Sequence, residues 1–358
     1  MIIPKINVPT TNGEPPKWVK KTIGDILTIY HGKDYKHLGK GDIPVMGTGG
    51  VIAHVDTPLC DWNCVCIGRK GTIDKPYYMD HPFWSVDTLF YTKPKDGYDP
   101  LFQYYLFHTI NWQKYNEASG VPSLSAKTIG KIEVMVPESL EVQNKIAGVL
   151  ASIDARIAEQ EGIIADLEKR KKGLLKKIFS QELRFKADNG SEFPEWRKRR
   201  IGEILTICHG KDYKHLGKGD IPVMGTGGVI AHVDTPLCDW NCVCIGRKGT
   251  IDRPYYMDKP FWSVDTLFFT KPCEGHNPRF QFCLFETIDW KRYNEASGVP
   301  SLSASTIEKI EVTIPSEVEE QIKIAELFVA IDKHIDIEKL ILTDWKNLKT
   351  GLLQQMFV

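Results

Sequence analysis

His31 to Asp74 reads HGKDYKHLGKGDIPVMGTGGVIAHVDTPLCDWNCVCIGRKGTID, and the same run returns without one change from His209 to Asp252, a constant 178 positions later. A second run, YNEASGVPSLSA from Tyr115 to Ala126, returns intact from Tyr293 to Ala304. The chain is one design written twice. Two copies of one domain tend to be set symmetrically, so the partner is most simply an object with a two-fold of its own. Duplex DNA carrying an inverted repeat is the leading candidate.

Each 178-residue repeat of the 358-residue chain is long enough to bury its own core, so two domains are expected. Apolar content of 42% and charged content of 26% are those of a soluble globular protein, and no apolar run approaches a membrane span. The N-terminal stretch MIIPKINVPTTNGEPPKW lacks a secretory pattern, which points to a cytoplasmic protein with no membrane partner. Six of the nine cysteines are the duplicated trio Cys60, Cys64, Cys66 and Cys238, Cys242, Cys244, so reduced thiols are expected rather than a disulfide framework. Lys and Arg total 46, as do Asp and Glu, so any surface for DNA must be a local patch.

Each repeat opens with a strand-rich globe. Ile43-Pro-Val-Met-Gly-Thr-Gly-Gly, Cys64-Val-Cys-Ile-Gly and Ser85-Val-Asp-Thr-Leu-Phe-Tyr read as short strands closed by turns, Phe102 to Thr109 reads as a helix, and Ile132-Glu-Val-Met-Val reads as a strand ending at Pro137. Heptads follow, with a seam of Ile146, Leu150, Ile153, Ile157, Gln160, Ile164, Leu167, Lys171, Leu174 and Ile178. The second copy repeats the seam at Ile324, Phe328, Ile331, Ile335, Glu338, Leu342, Trp345, Lys349, Leu352 and Met356, with polar residues at the same two places. The fold class is α+β: globes at 1–138 and 196–316, long helices at 139–180 and 317–358, and a linker at 181–195. Connectivity predicts that helix two packs back along helix one as an antiparallel coiled coil with approximate two-fold symmetry; the alternatives are helices that pack onto their own globes and helices that pair between the chains of a homodimer. At 1.5 Å per residue, such a spacer is about 60 Å long.

No enzyme motif is complete, so no catalytic residue is assigned. The glycines of Gly32-Lys-Asp-Tyr-Lys-His-Leu-Gly-Lys-Gly are wrongly spaced for a phosphate-binding loop. Asp99-Pro-Leu-Phe and Asn277-Pro-Arg-Phe lack the second proline of the adenine methyltransferase motif. Cys60, Cys64 and Cys66 near His54 invite zinc, but Cys64 and Cys66 alternate with Val65 and Ile67, which puts both thiols on one strand face as small core residues. No metal is expected.

Basic and small polar loops are the candidates for DNA contact. Lys33, Tyr35, Lys36 and His37 lie in one glycine-flanked loop, Thr48 in a Gly-rich turn, Arg69 and Lys70 in a second turn, and Asn116, Ser119 and Ser123, with Ser125 beside them, around Gly120. Their copies are Lys211, Tyr213, Lys214, His215, Thr226, Arg247, Lys248, Asn294, Ser297 and Ser301. For any one lysine a merely solvated loop is as good a reading. Identity of whole loops in both copies, charged residues included, is more than packing requires.

The globe, the strand ending in proline and the Gln-containing heptad helix, all repeated, resemble the specificity subunit of type I restriction-modification systems. The matching residues are Ser119-Gly-Val-Pro-Ser-Leu-Ser-Ala-Lys-Thr-Ile-Gly-Lys-Ile-Glu-Val-Met-Val-Pro and Glu141-Val-Gln-Asn-Lys-Ile-Ala-Gly-Val-Leu-Ala-Ser-Ile-Asp, with second copies at Ser297 to Pro315 and Glu319 to Asp332. The resemblance implies two target-recognition domains that each read half of a bipartite site in double-stranded DNA. It also implies helices that bind two DNA methyltransferase subunits, joined by restriction subunits where the system has them. S-adenosylmethionine would be bound by the methyltransferase partner, with no cofactor in this chain and methyl transfer to adenine N6 occurring elsewhere. Members of that family typically carry two different recognition domains; these are near copies, so the expected site is palindromic. The alternative is a two-headed coiled-coil scaffold for a symmetric protein partner, which steep salt dependence of DNA binding would exclude.

Overall fold

The computed structural model describes residues 16–357. Most of the stretch read for a secretory pattern, residues 1–15, lies outside them. The chain divides into two units, Met1–Glu161 with Leu340–Val358, and Gly162–Lys339. The division falls inside both long helices.

In the first unit the order is β1 Trp18–Thr22, α1 Ile23–Ile26, β2 Leu27–His31, β3 Ile43–Gly47, β4 Gly50–Val55, β5 Cys64–Gly68, β6 Tyr77–Met79, β7 Trp84–Ser85 and β8 Leu89–Pro94. Then come α2 Pro100–His108, α3 Ala126–Gly130, β9 Glu133–Pro137 and the 40-residue α4 Leu140–Phe179. An antiparallel sheet runs β2-β8-β5-β6, and a smaller sheet runs β4-β3-β7 with β3 and β7 parallel. Strands β1 and β9 pair by themselves.

Strand β5 is buried along its whole length because both of its faces are covered, which is why Cys64–Gly68 reads as a continuous apolar run. Val65 and Ile67 join a core with Phe102, Tyr105, Val142, Ile146 and Leu150, closed by Met356 and Phe357. Cys64 and Cys66 face the other way, onto Met79, Phe83 and Tyr91.

Two polar devices seat the helices on this core. The Asp99 carboxylate accepts from the Phe102 N–H at 2.6 Å, and Pro100 fills the first turn of α2, where an N–H has no helical partner anyway. The Asp-Pro-x-Phe run is thus a helix start. Gln143, fully buried in the first turns of α4, accepts from Asp99 N–H at 3.0 Å and donates to Gly97 O at 3.2 Å and Pro137 O at 3.0 Å.

The second unit repeats the plan with β10 Arg197–Arg200, α5 Ile201–Ile204, β11 Leu205–His209, β12 Ile221–Gly225, β13 Gly228–Val233, β14 Cys242–Gly246, β15 Tyr255–Met257, β16 Trp262–Ser263 and β17 Leu267–Pro272. It continues through α6 Pro278–Thr287, α7 Ala304–Lys309, β18 Glu311–Ile314 and the 40-residue α8 Val318–Phe357. Its sheets are β11-β17-β14-β15 and β13-β12-β16, with the pair β10-β18. Asn277 caps α6 and Gln321 takes the place of Gln143. The linker is pinned to this unit: Arg184 reaches Glu320 at 2.8 Å and Pro194 O at 2.7 Å.

In both units α4 and α8 run antiparallel. Lys171 pairs with Asp332 and Lys339 with Glu168 in the second unit, and Lys349 pairs with Asp154 and Lys346 with Glu161 in the first. Of the apolar seam positions, Ile146, Leu150, Ile153, Ile164, Ile178, Ile324, Phe328, Ile335 and Met356 are buried, while Ile157, Leu167, Leu174, Ile331, Leu342, Trp345 and Leu352 are half-buried. Ile146, Leu150, Ile324 and Phe328 belong to globe cores as much as to the helix seam.

Candidate nucleic-acid interface

The turn after β5 carries Arg69 and Lys70, and backbone pairing fixes it in place. Both N–H groups donate to Thr88 O, at 2.8 and 3.2 Å, and the Arg69 guanidinium donates to Asp87 O at 3.0 Å. On its other side the turn is zipped to the loop before α3: Leu124 N–H donates to Arg69 O at 2.9 Å and Gly71 N–H to Pro122 O at 2.9 Å. Gly71 has φ +90°, a conformation that side chains disfavour, so glycine lets the chain fold back here. A Cβ placed on Gly71 would sit 3.5 Å from Thr48 Oγ1, which puts the β3–β4 turn against the same edge.

This zipper opens a cleft of about 240 Å³ lined by His31, Arg69, Lys70, Phe90, Glu117, Ser123, Leu124, Ser125 and Ala126. The second unit holds its counterpart, about 230 Å³, lined by His209, Arg247, Lys248, Phe268, Glu295, Ser301, Leu302, Ser303 and Ala304. The nine lining residues are the same in type and order.

Of the sequence candidates, Arg69, Lys70 and Ser123 line this cleft and Thr48 borders its turn. Asn116 lies behind them, its side chain occupied: it accepts from Ala118 N–H at 3.1 Å and Ser123 N–H at 2.9 Å and donates to Ala118 O at 2.9 Å. It shapes a loop whose tip exposes Ser119 and Val121. Lys33, Lys36 and His37 are exposed on the β2–β3 loop, away from the cleft lining, with the loop root held where Trp84 Nε1 donates to Lys33 O at 2.8 Å. Tyr35 turns inward and packs beside Val45, Val55 and Trp84. The copies repeat each placement: Lys211 accepts from Trp262, Tyr213 packs inward, Lys214 and His215 are exposed, Thr226 borders Gly249, and Asn294 braces Ser301 while Ser297 is exposed.

Ser125, read from the sequence as a small polar group near Gly120, also lines the cleft, whereas sequence reasoning missed His31 and Glu117. Both lie inside the identical runs, so the signal was there, but His31 ends a strand and Glu117 has the wrong charge for a search aimed at basic residues.

The duplicated trio Cys60, Cys64, Cys66 and Cys238, Cys242, Cys244 is core. Cys60 and Cys64 Sγ are 3.8 Å apart, and hydrogen bonding to Cys64 together with burial pushes the Cys60 thiol far above its ordinary range. Among the described residues no group of three His, Cys, Asp or Glu is arranged to hold a metal ion, and no helix is long and apolar enough to cross a membrane.

A family model described as the type I restriction modification DNA specificity domain matches the chain twice, over residues 15–169 and 194–344. The chain belongs to that family. It is 30% identical over 282 residues to the type I restriction enzyme MjaVIII specificity subunit of Methanocaldococcus jannaschii, covering 66% of this chain and 64% of that relative's length. In fold it is similar to the crystal structure of a type I restriction-modification system S subunit from M. genitalium, with TM-score 0.72 and 18% identity over 100% of this chain and 99% of the other. A chain from a structural study of complex assembly and conformational transition in the type I R-M system matches with TM-score 0.56 and 13% identity, over 96% and 98%.

Proposed function

We propose that the chain is the non-catalytic, DNA-reading subunit of a type I restriction-modification complex and that each unit engages one half of a bipartite, palindromic site. The observation that carries this reading is the pair of clefts lined by the same nine residue types. Identical readers select identical half-sites, and two copies facing a duplex select them inverted. The long helices α4 and α8 bind two DNA methyltransferase subunits, which hold S-adenosylmethionine and methylate adenine N6. A restriction subunit joins where the system has one. The complex works in the cytoplasm, and this chain supplies the address and no bond-making group.

Single-molecule sequencing of source-cell DNA, with and without the gene, tests this. An inverted-repeat motif with a fixed spacer should lose its methylated adenines on deletion. A lost motif with unrelated halves would overturn the palindromic reading, and no lost motif would overturn the DNA role.

A further inference from the structure

Each cleft contains one carboxylate among its bases. Glu117 shares the lining with His31, Arg69 and Lys70, as Glu295 does with His209, Arg247 and Lys248. Among the described residues neither glutamate has an ion-pair partner. A cradle built only for phosphate gains nothing from such a group, because it repels the phosphate it faces. The carboxylate is nevertheless held in position: the Thr128 and Ser125 hydroxyls both donate to Glu117 Oε1, the latter at 2.8 Å, and Thr306 and Ser303 do the same for Glu295. The Thr128 and Ser125 bonds hold the Glu117 carboxyl below its usual range, so it is an acceptor without a proton at neutral pH. Both bonds fall on one oxygen, which leaves acceptor capacity unused.

We propose that Glu117 and Glu295 each read a cytosine, one per half-site, by accepting a hydrogen bond from its N4 amine in the major groove. Arg69 or Lys70, and in the other unit Arg247 or Lys248, donates to guanine O6 and N7. This rests on the DNA reading above and adds the base. A G·C pair shows acceptors on guanine and a donor on cytosine, which matches a cleft with cationic donors and one anionic acceptor. Adenine also has an amine, but its N7 lone pair lies beside N6 and repels a carboxylate, whereas the neighbour of cytosine N4 is a C–H.

The competing role is structural: Glu117 braces Ser125, the N-cap of α3. That role needs an acceptor but no charge, so Glu117→Gln preserves it. Glutamine also suits adenine, to which it can bond at N6 and N7 together.

In source cells carrying Glu117→Gln, mapping of methylated adenines should find one position of one half-site relaxed from cytosine and admitting adenine by about fivefold or more. Glu295→Gln should relax the other half, and the double variant both. Gln143→Leu, which weakens the same unit away from the cleft, should leave base preference unchanged. An unaltered motif in Glu117→Gln, or equal loss at all sites shared by Glu117→Gln and Gln143→Leu, would overturn the proposal. If the wild-type chain directs no motif at all, the DNA reading fails and this inference falls with it.

Discussion

Lys171 on α4 meets Asp332 on α8 at 2.8 Å, and the same two positions of the other copy meet with partners exchanged, Lys349 on α8 with Asp154 on α4 at 2.6 Å. Each unit thus closes its helix pair with an equivalent lysine and aspartate. Their surroundings differ. Lys171 also bonds Glu286 at 2.9 Å, and Arg279 bonds Asp332 at 3.2 Å. In the first unit those neighbours are His108 and Leu101, and Tyr105 donates to Asp154 at 2.8 Å.

Lys171→Met should therefore cost more than Lys349→Met. Removing Lys171, whose side chain is 13% exposed, leaves two shielded carboxylates to share Arg279, a loss of about 3 to 5 kcal/mol. Removing Lys349 strands one aspartate that keeps its tyrosine donor, a loss nearer about 1 to 3 kcal/mol. Denaturant unfolding of the full chain measures both, and equal losses would contradict the asymmetry.

The same divergence gives the two units opposite responses to acid. Burial, and then Lys349, hold the His108 imidazole below its ordinary value, while burial raises the carboxyl of Glu286, its counterpart, against the opposing pull of Lys171. A depressed histidine binds fewer protons folded than unfolded, so its contribution is lost as pH falls through about 6.5. A raised glutamate binds more protons folded, so its contribution is lost as pH rises through the folded value and is full below about 4.3. Hydrogen exchange compared at neutral and mildly acid pH should show α2 losing protection and α6 gaining it. Both groups are partly exposed and screened by solvent, so both changes should be small. His108→Leu should abolish it.

Gln143→Leu should destabilise the first unit by about 2 to 5 kcal/mol. The change strands the Asp99 N–H and the carbonyls of Gly97 and Pro137, and each buried orphan costs about 1 to 3 kcal/mol where water does not reach it. Gln321→Leu is the matching test in the second unit. A loss below about 1 kcal/mol in both would show that water replaces the side chain.

Much of this was legible in the sequence because the repeat supplied its own comparison. The alternation of Cys64 and Cys66 with Val65 and Ile67 showed that the thiols share a strand face, and both lie in one core cluster. Heptad period and connectivity together pointed to the antiparallel helices. Less legible was everything that depends on three-dimensional neighbours. Tyr35 reads as a DNA-facing aromatic among lysines, yet its ring packs beside Val45 and Val55, because the β2–β3 loop turns back there, with Leu38 N–H donating to Tyr35 O at 3.0 Å. Asn116 reads as a polar contact, but an asparagine two residues before Ala118 bonds its own loop. Glu117 carries no basic signature at all, and only the fold sets it beside Arg69 and Lys70.

Lys70 is the residue with which to separate DNA binding from protein scaffolding. It is exposed at the cleft and, among the described residues, has no ion-pair partner, so its removal leaves nothing buried unpaired. If it contacts phosphate, Lys70→Ala weakens all duplex sequences alike and lowers the dependence of log affinity on log salt by about one. Lys248→Ala should do the same from the other unit, and the double variant should lower the slope by about two if the sites act independently. If Lys70 instead takes the guanine contact, affinity falls mainly for cognate DNA and one position of the site relaxes. Fluorescence anisotropy of the full complex on cognate and scrambled duplexes across a salt series distinguishes the two. A slope and a sequence preference both unchanged by the double variant would remove these lysines from the DNA surface and move the scaffold reading forward.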